Sequence, residues 1–295
     1  MSGFHQFEFA AAFGKCLHLE NANGWVCQRD ITSDGLYDYV SPYPMFAETQ
    51  FDRIALDFDF LSEQGAVSLT LRTDALSEKD VIKTKADWDW FKAFKTHHIC
   101  DLNTPWRNTA HRNAIRYDRQ ARKQFDYSIV NSPVEYAAGL LRLNSVILQR
   151  TRGTADKAMT QTMMEELLSL TGCRLVKAQD KTGIQALGLF MISQENAYAY
   201  LLGCTNEARD EHVISGLYGY ALDTLANDVR YVDFGSSPGI IDDKDHRVAK
   251  FKSLWSNQTA KSYICGKVLR PDIYAHLVKT SPATHSNFFP QYKIS

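Results

Sequence analysis

Three apolar runs in quick succession, residues 174–179, 184–192 and 197–203, are each of strand length, and turn-forming residues separate them. The joints are Asp180-Lys181-Thr182-Gly183 and Gln194-Glu195-Asn196. Strands joined so tightly pair antiparallel, so a meander is predicted. Next comes a helical period at Ile214, Leu217, Ala221 and Leu225, then a buried-looking strand at 229–234 that runs into Gly235-Ser236-Ser237-Pro238-Gly239. A helix near 248–255 and a strand at 261–267 follow. Upstream, residues 125–130 read as a strand. Ser132, Pro133 and Glu135 form a capping box ahead of a helix whose apolar face is Tyr136, Leu140, Leu143 and Ile147. Met159, Met163, Leu167 and Leu170 repeat the period as far as Gly172, and this methionine stripe reads as core packing. The order is β, α, α, β, β, β, α, β, α, β, an α/β chain.

Residues 1–124 are less regular. Strand-like stretches at 25–28, 51–60 and 66–72 are interrupted by the turn-rich Ser41-Pro42-Tyr43-Pro44, and a helix is predicted over 106–123. With 295 residues the chain is long enough for two compact domains, expected at 1–124 and 125–295. A net charge of −1 gives no global field to attract nucleic acid or anionic membrane, so any anion site is local. The longest apolar runs, such as 186–192, are far too short to span a bilayer. The N-terminus lacks a basic leader and carries Glu8 where a signal peptide needs apolar continuity. Six cysteines are scattered singly with no zinc or disulfide spacing, which fits reduced thiols in a cytoplasm.

One concentrated basic patch stands out. Arg112, Arg116, Arg119 and Lys123 recur at helical spacing, and Arg107 and Arg122 flank them, with Asp118 as the single acid. Such a face either binds phosphates or is an exposed helix paired with acids elsewhere. His97-His98 is a tempting metal pair, but neighbours on a strand point to opposite faces, and no metal is expected. Trp88 and Trp90 read as packing anchors. The chain lacks the phosphate-loop motif and G-x-G-x-x-G, which leaves NTPase and dinucleotide readings unsupported.

The element order resembles the Gcn5-related N-acetyltransferase (GNAT) fold, and four stretches resemble its Fem-type branch, in which two GNAT-like domains lie in tandem. Tyr39-Val40-Ser41-Pro42-Tyr43-Pro44 resembles a Pro-Tyr-Gly segment of the first domain, with Pro44 at the glycine. Asp101-Leu102 and residues 111–121 resemble the strand end and basic helix near the domain junction. Tyr231-Val232-Asp233-Phe234-Gly235 resembles an Asp-hydrophobic-Gly-Gly element, with Ser236 at the second glycine. Val248-Ala249-Lys250-Phe251-Lys252 resembles the Phe-Lys motif, and Tyr263 to Gly266 with Pro271 to Tyr274 resembles the closing strand and its tyrosine. The resemblance implies tandem GNAT-like domains, the N-terminal one degenerate, with the residues beyond Tyr274 folding back on the first.

It also implies an acyltransferase. The strands at 197–203 and 229–234 would splay apart and bind the donor through main-chain N–H groups. Lys252 would hold substrate phosphate or stabilise developing charge, with Lys250 as the alternative register and a solvated helix lysine as the bland reading. Asp233 would accept the amine proton or orient substrate, or else cap the Gly235-Ser236 turn. Tyr39, Ser41 and Tyr43 would line an acceptor groove or merely pack. After the fourth strand, Cys204-Thr205-Asn206-Glu207-Ala208-Arg209-Asp210 replaces the usual glycine-rich pyrophosphate loop. The expected donor is acyl-CoA, with aminoacyl-tRNA second and no tightly bound cofactor. The acceptor is an amine of a small or cell-surface-precursor substrate. A binding or scaffold protein with a decayed site is the remaining reading.

Overall fold

The computed structural model describes residues 3–32, 35–151, 159–281 and 288–293. The strands are β1 (Cys16–Leu19), β2 (Gly24–Asp30), β3 (Tyr37–Val40), β4 (Ser68–Arg72), β5 (Trp90–Asp101), β6 (Asp126–Ile129), β7 (Cys173–Asp180), β8 (Gly183–Ser193), β9 (Asn196–Cys204), β10 (Tyr231–Asp233) and β11 (Gln258–Val268). The helices are α1 (Phe7–Ala11), α2 (Phe58–Glu63), α3 (Glu78–Lys83), α4 (Trp106–Thr109), α5 (Arg112–Ala121), α6 (Ala137–Thr151), α7 (Gln161–Ser169), α8 (Asn206–Asp210), α9 (Val213–Leu225), α10 (Arg247–Ser253) and α11 (Pro271–Thr280). None is long and apolar enough to cross a membrane.

The chain forms two compact units. One holds Met1–Ala12 and Thr96–Ala260, the other Phe13–Lys95 and Lys261–Ser295. This differs from a single boundary near Phe125. Residues 96–124 cluster with the later elements, and the chain from Lys261 onward clusters with the early ones. One division falls between α1 and β1, at Ala12, and the other two fall inside β5 and β11, long strands without proline, where no change of composition marks them.

In the Thr96–Ala260 unit the sheet runs β5-β10-β9-β8-β7-β6. The predicted meander is there: β7 pairs β8 and β8 pairs β9, both antiparallel. The helix α9 lies on it, with Leu217, Ala221 and Leu225 buried alongside Phe190 and Val232. Its close approach explains Gly188, where a Cβ would sit 2.6 Å from Leu217. The capping box does not form. Ser132 makes no side-chain cap, and a 3-10 turn, Pro133–Tyr136, precedes α6 instead. The helix predicted over 106–123 is broken into α4 and α5, because Ala110 is extended and the His111 imidazole caps Asn113 N–H.

The second unit has the order β1-β2-β3-β4-β11. Its pairs are antiparallel except β3 with β4. Residues 51–60 are helical rather than a strand: Phe51–Asp57 is 3-10 and continues into α2. Phe51, Ile54 and Leu61 are buried at helical spacing, and the Asp57 carboxylate is buried with them, accepting from the Asn21 and Ala22 N–H groups. A hydroxyl and aromatic network around Asp38 completes this unit's interior. Ser68 Oγ donates to Asp38 at 2.7 Å, Tyr292 OH bonds the same oxygen, and Arg29 reaches the other at 3.1 Å.

Candidate active site at the parting of two strands

The strands β9 and β10 run parallel but pair only where Tyr231–Asp233 faces Asn196–Tyr198, while β9 continues to Cys204. Beyond Asp233 the chain stays with β5 instead: Phe234 N–H donates to His98 O at 2.9 Å, and His98 N–H to Gly235 O at 3.2 Å. The two strands therefore part at Asp233. On β9 the register slips beside the parting, where Leu189 faces Leu201 and Phe190 faces Ala199, leaving Tyr200 as an extra residue that bends the strand.

Four sequence-predicted residues converge here. Asp233 is 2% exposed, and one oxygen accepts from Gly235 N–H at 2.6 Å while the other meets His97 Nδ1 at 2.7 Å. Burial by itself would raise its pKa, but His97, the Gly235 N–H and Lys252 together pull it below the ordinary carboxylate value. Asp233 therefore stays ionised, which suits it to orient His97 better than to take a proton. Gly235 has φ +76°, and a Cβ there would lie 3.2 Å from Lys252 Nζ. The positive φ favours glycine. Lys252, near the end of α10, donates to Ser236 O at 2.7 Å, so it clamps the loop rather than waving in solvent. Lys250, the alternative register, is exposed and pairs with Asp245. The hydroxyl of Ser237 stiffens the same loop by accepting from Asp243 N–H.

Beside the cluster lies a cavity of about 170 Å³ lined by Thr96 and His98 of β5, residues 242–244, Ala249 and Thr259. Thr96 Oγ1 donates to Asp242 at 2.7 Å. His98 Nδ1 is buried and has no hydrogen-bond partner. Burial, reinforced by the Lys252 charge, lowers the His98 pKa below 6.5. A neutral imidazole beside a cavity can accept a proton. Sequence reasoning weighed His97-His98 only as a metal pair and missed this. The two rings do divide their tasks, one holding Asp233 and the other facing the cavity. Among the described residues no group of three or more His, Cys, Asp or Glu is placed to hold a metal ion.

The other candidates lie elsewhere. On α5, Arg112, Arg116 and Arg119 are exposed. The flanking Arg107 and Arg122 are spent on Asp118 and Asp223, Arg122 reaching Asp118 at 2.6 Å and Asp223 at 2.8 Å. Arg116 leans on Tyr117, 4.8 Å above its ring. The N-terminus of α5 adjoins the end of α10, since His111 N–H donates to Leu254 O at 2.9 Å. Tyr39, Ser41 and Tyr43 belong to the other unit. Tyr39 is 5% exposed and packs in that unit's core, where burial and Tyr37 push its pKa up to about 12. Ser41 Oγ accepts from Arg72 N–H. Tyr43 is 47% exposed, with Arg72 over its ring. After β9, Thr205 caps the short helix α8 by accepting from Ala208 N–H, so that backbone amide is occupied.

No family model matches the chain, and no curated protein does. Solved structures do. FemX superposes with a TM-score of 0.67 at 11% identity, over 92% of this chain and 93% of that one. L-PGS from Bacillus licheniformis gives 0.60 at 12% identity, over 87% and 84%. The C-terminal domain of a putative lysylphosphatidylglycerol synthetase from Agrobacterium fabrum gives 0.57 at 12% identity, over 90% and 86%. The chain therefore shares the fold of FemX and of these two structures.

Proposed function

We propose that the protein transfers an acyl group from an activated donor to an amine of a small or cell-surface-precursor substrate. The observation that carries this reading is a cavity lined by the His98 imidazole, on which the nearby Lys252 charge acts, next to the chain that leaves β10 at Asp233. N-acyl transfer needs a base for the amine proton and a donor for the oxygen that becomes negative. His98 supplies the first. Lys252 supplies the positive charge for the second, with its position fixed by its bond to Ser236 O. Asp233 is a positioning residue that acts through His97.

The first donor is acyl-CoA. Aminoacyl-tRNA is the second, favoured by the exposed Arg112, Arg116 and Arg119 and by a loop after β9 that has no glycine-rich run for a pyrophosphate. Incubation with acetyl-CoA and, separately, with charged tRNA, read as protection from heat, distinguishes the donors. Protection by neither, with no transfer to any amine, overturns the reading in favour of a binding or scaffold protein. For an active preparation, His98→Gln is expected to lower the maximal rate by about 10²–10⁴-fold. The wild-type rate is expected to fall only below pH 6.5, as His98 becomes protonated.

A further inference from the structure

The six cysteines look isolated in sequence, yet folding sets two of them face to face. Cys16 of β1 is directly opposite Cys27 of β2, and the sulfurs are 3.6 Å apart. Gln28 N–H donates to Lys15 O at 2.7 Å, so Lys15 and Gln28 form a hydrogen-bonded pair of the ladder. The next pair along, Cys16 with Cys27, is therefore of the non-hydrogen-bonded kind, in which Cα atoms approach to about 4.5 Å and side chains are closest. That spacing lies within the range a disulfide spans. The two thiols also differ in access. Cys16 is half-buried, whereas Cys27 is 3% exposed. The hydrogen bond with Cys27 lowers the Cys16 pKa, against the opposing effect of burial, which favours Cys16 as the thiolate that attacks.

We infer that Cys16 and Cys27 form a redox-active dithiol that exchanges with low-molecular-weight disulfides. Cys16 thiolate attacks one sulfur of the external disulfide, whose S–S bond breaks and releases one thiol as the mixed disulfide forms. Cys27 then attacks Cys16 Sγ, the mixed disulfide breaks, and a second thiol leaves with the last proton. Two protein thiols are oxidised, and one external disulfide is reduced to two thiols. The product is a cross-strand bridge on the β1–β2 hairpin, with β1 at the outer end of this unit's strand order. The remaining cysteines, Cys100, Cys173, Cys204 and Cys265, are all buried and take no part.

The test uses the whole reduced protein equilibrated with graded mixtures of glutathione and its disulfide, then alkylated in denaturant and peptide-mapped. Expected are a linked Cys16–Cys27 peptide pair, an intact mass about 2 Da lower before alkylation, and alkylation of the other four cysteines. Cys27→Ser is expected to accumulate the glutathione adduct on Cys16, because nothing resolves it. Cys16→Ser is expected to leave Cys27 unmodified. Cys16 remaining alkylatable in the wild type at every ratio overturns the proposal, as does a Cys16 link to any other cysteine. The wild-type map decides without either variant, so misfolding of a variant cannot rescue the idea.

Discussion

Asp233 and Asp38 are both buried carboxylates on short strands, one in each unit, and their surroundings set them apart. Around Asp38 two hydroxyls and a guanidinium converge, and apart from Arg29 Nε the side chains that reach it are spent on it. Around Asp233 the pairing is just as tight, but the next residue along β5, His98, keeps a buried nitrogen without a partner and faces a cavity. A polar network that consumes its own donors holds a fold together. One that leaves a titratable group over, next to open space, has chemistry to offer.

The sharpest way to break this contrast is to remove each carboxylate. Asp38→Ala strands Arg29 in a half-buried position and leaves Ser68 and Tyr292 without their acceptor, so a loss of about 3–5 kcal/mol is expected. Urea unfolding followed by intrinsic fluorescence measures it. A loss under about 1 kcal/mol would mean that water replaces the network and that Asp38 is no staple. Asp233→Asn sharpens the comparison because its effect should fall mainly on rate, through a misoriented His97.

Lys252→Ala comes next. If the ammonium meets charge that grows during transfer, the maximal rate falls by about 2–4 kcal/mol, with apparent affinity little changed. An effect confined to affinity would assign Lys252 to substrate phosphate. A lysine on a helix face is normally solvated, and truncating it then leaves stability nearly unchanged. Because Lys252 instead binds Ser236 O, a loss of about 1 kcal/mol is expected, seen as a lower melting point.

What was legible before folding follows the same division. The cluster of Asp233, Gly235, Ser236 and Lys252 was marked by the resemblance to Fem-type motifs, whereas the meander and α9 rest on turn residues and spacings within a short stretch of chain. Local chemistry reports such features well. His97 and His98 acquire meaning only when β5 pairs with β10, 136 residues away, and no local pattern carries that. Residues 51–60 misled because Phe58-Asp59-Phe60 alternates like a strand, while the buried positions Phe51, Ile54 and Leu61 follow the helical period. For Tyr39 the sequence left groove lining and packing both open, and it is core, because β3 is covered on the face it presents.

Acid–base behaviour separates the units further. Burial, with the Asp74 charge second, raises the Glu48 pKa to about 8 from 4.5. Its contribution is fully present below pH 4.5 and is lost as pH rises toward 8. Asp233 is the opposite case, with a lowered pKa, so its contribution is present above 3.8 and lost as pH falls through the lowered value. Glu48→Gln is therefore expected to gain about 1–3 kcal/mol at pH 8 and nothing at pH 4, read from urea midpoints at both. An equal change at the two pH values would sink the assignment.

The smallest expected effect bears on the exposed basic stripe of α5. Arg107 and Arg122 sit in the Asp118 and Asp223 network, whereas Arg119 makes no ion pair among the described residues. Arg119→Ala should leave the melting point unchanged, because truncating an exposed arginine shifts stability by no more than about 0.5 kcal/mol. Arg122→Ala, by contrast, uncovers the buried Asp118 carboxylate and should lower it. If the stripe binds a polyphosphate donor, Arg119→Ala weakens that donor modestly at low salt and hardly at all at high salt, since exposed charges are screened within about 10 Å at 0.1 M. Titrating tRNA and acetyl-CoA against wild type and variant at two salt concentrations separates the possibilities. A salt-dependent loss for tRNA alone favours aminoacyl-tRNA, and a loss for acetyl-CoA alone favours the thioester. Identical binding by variant and wild type returns α5 to the bland role of an exposed helix.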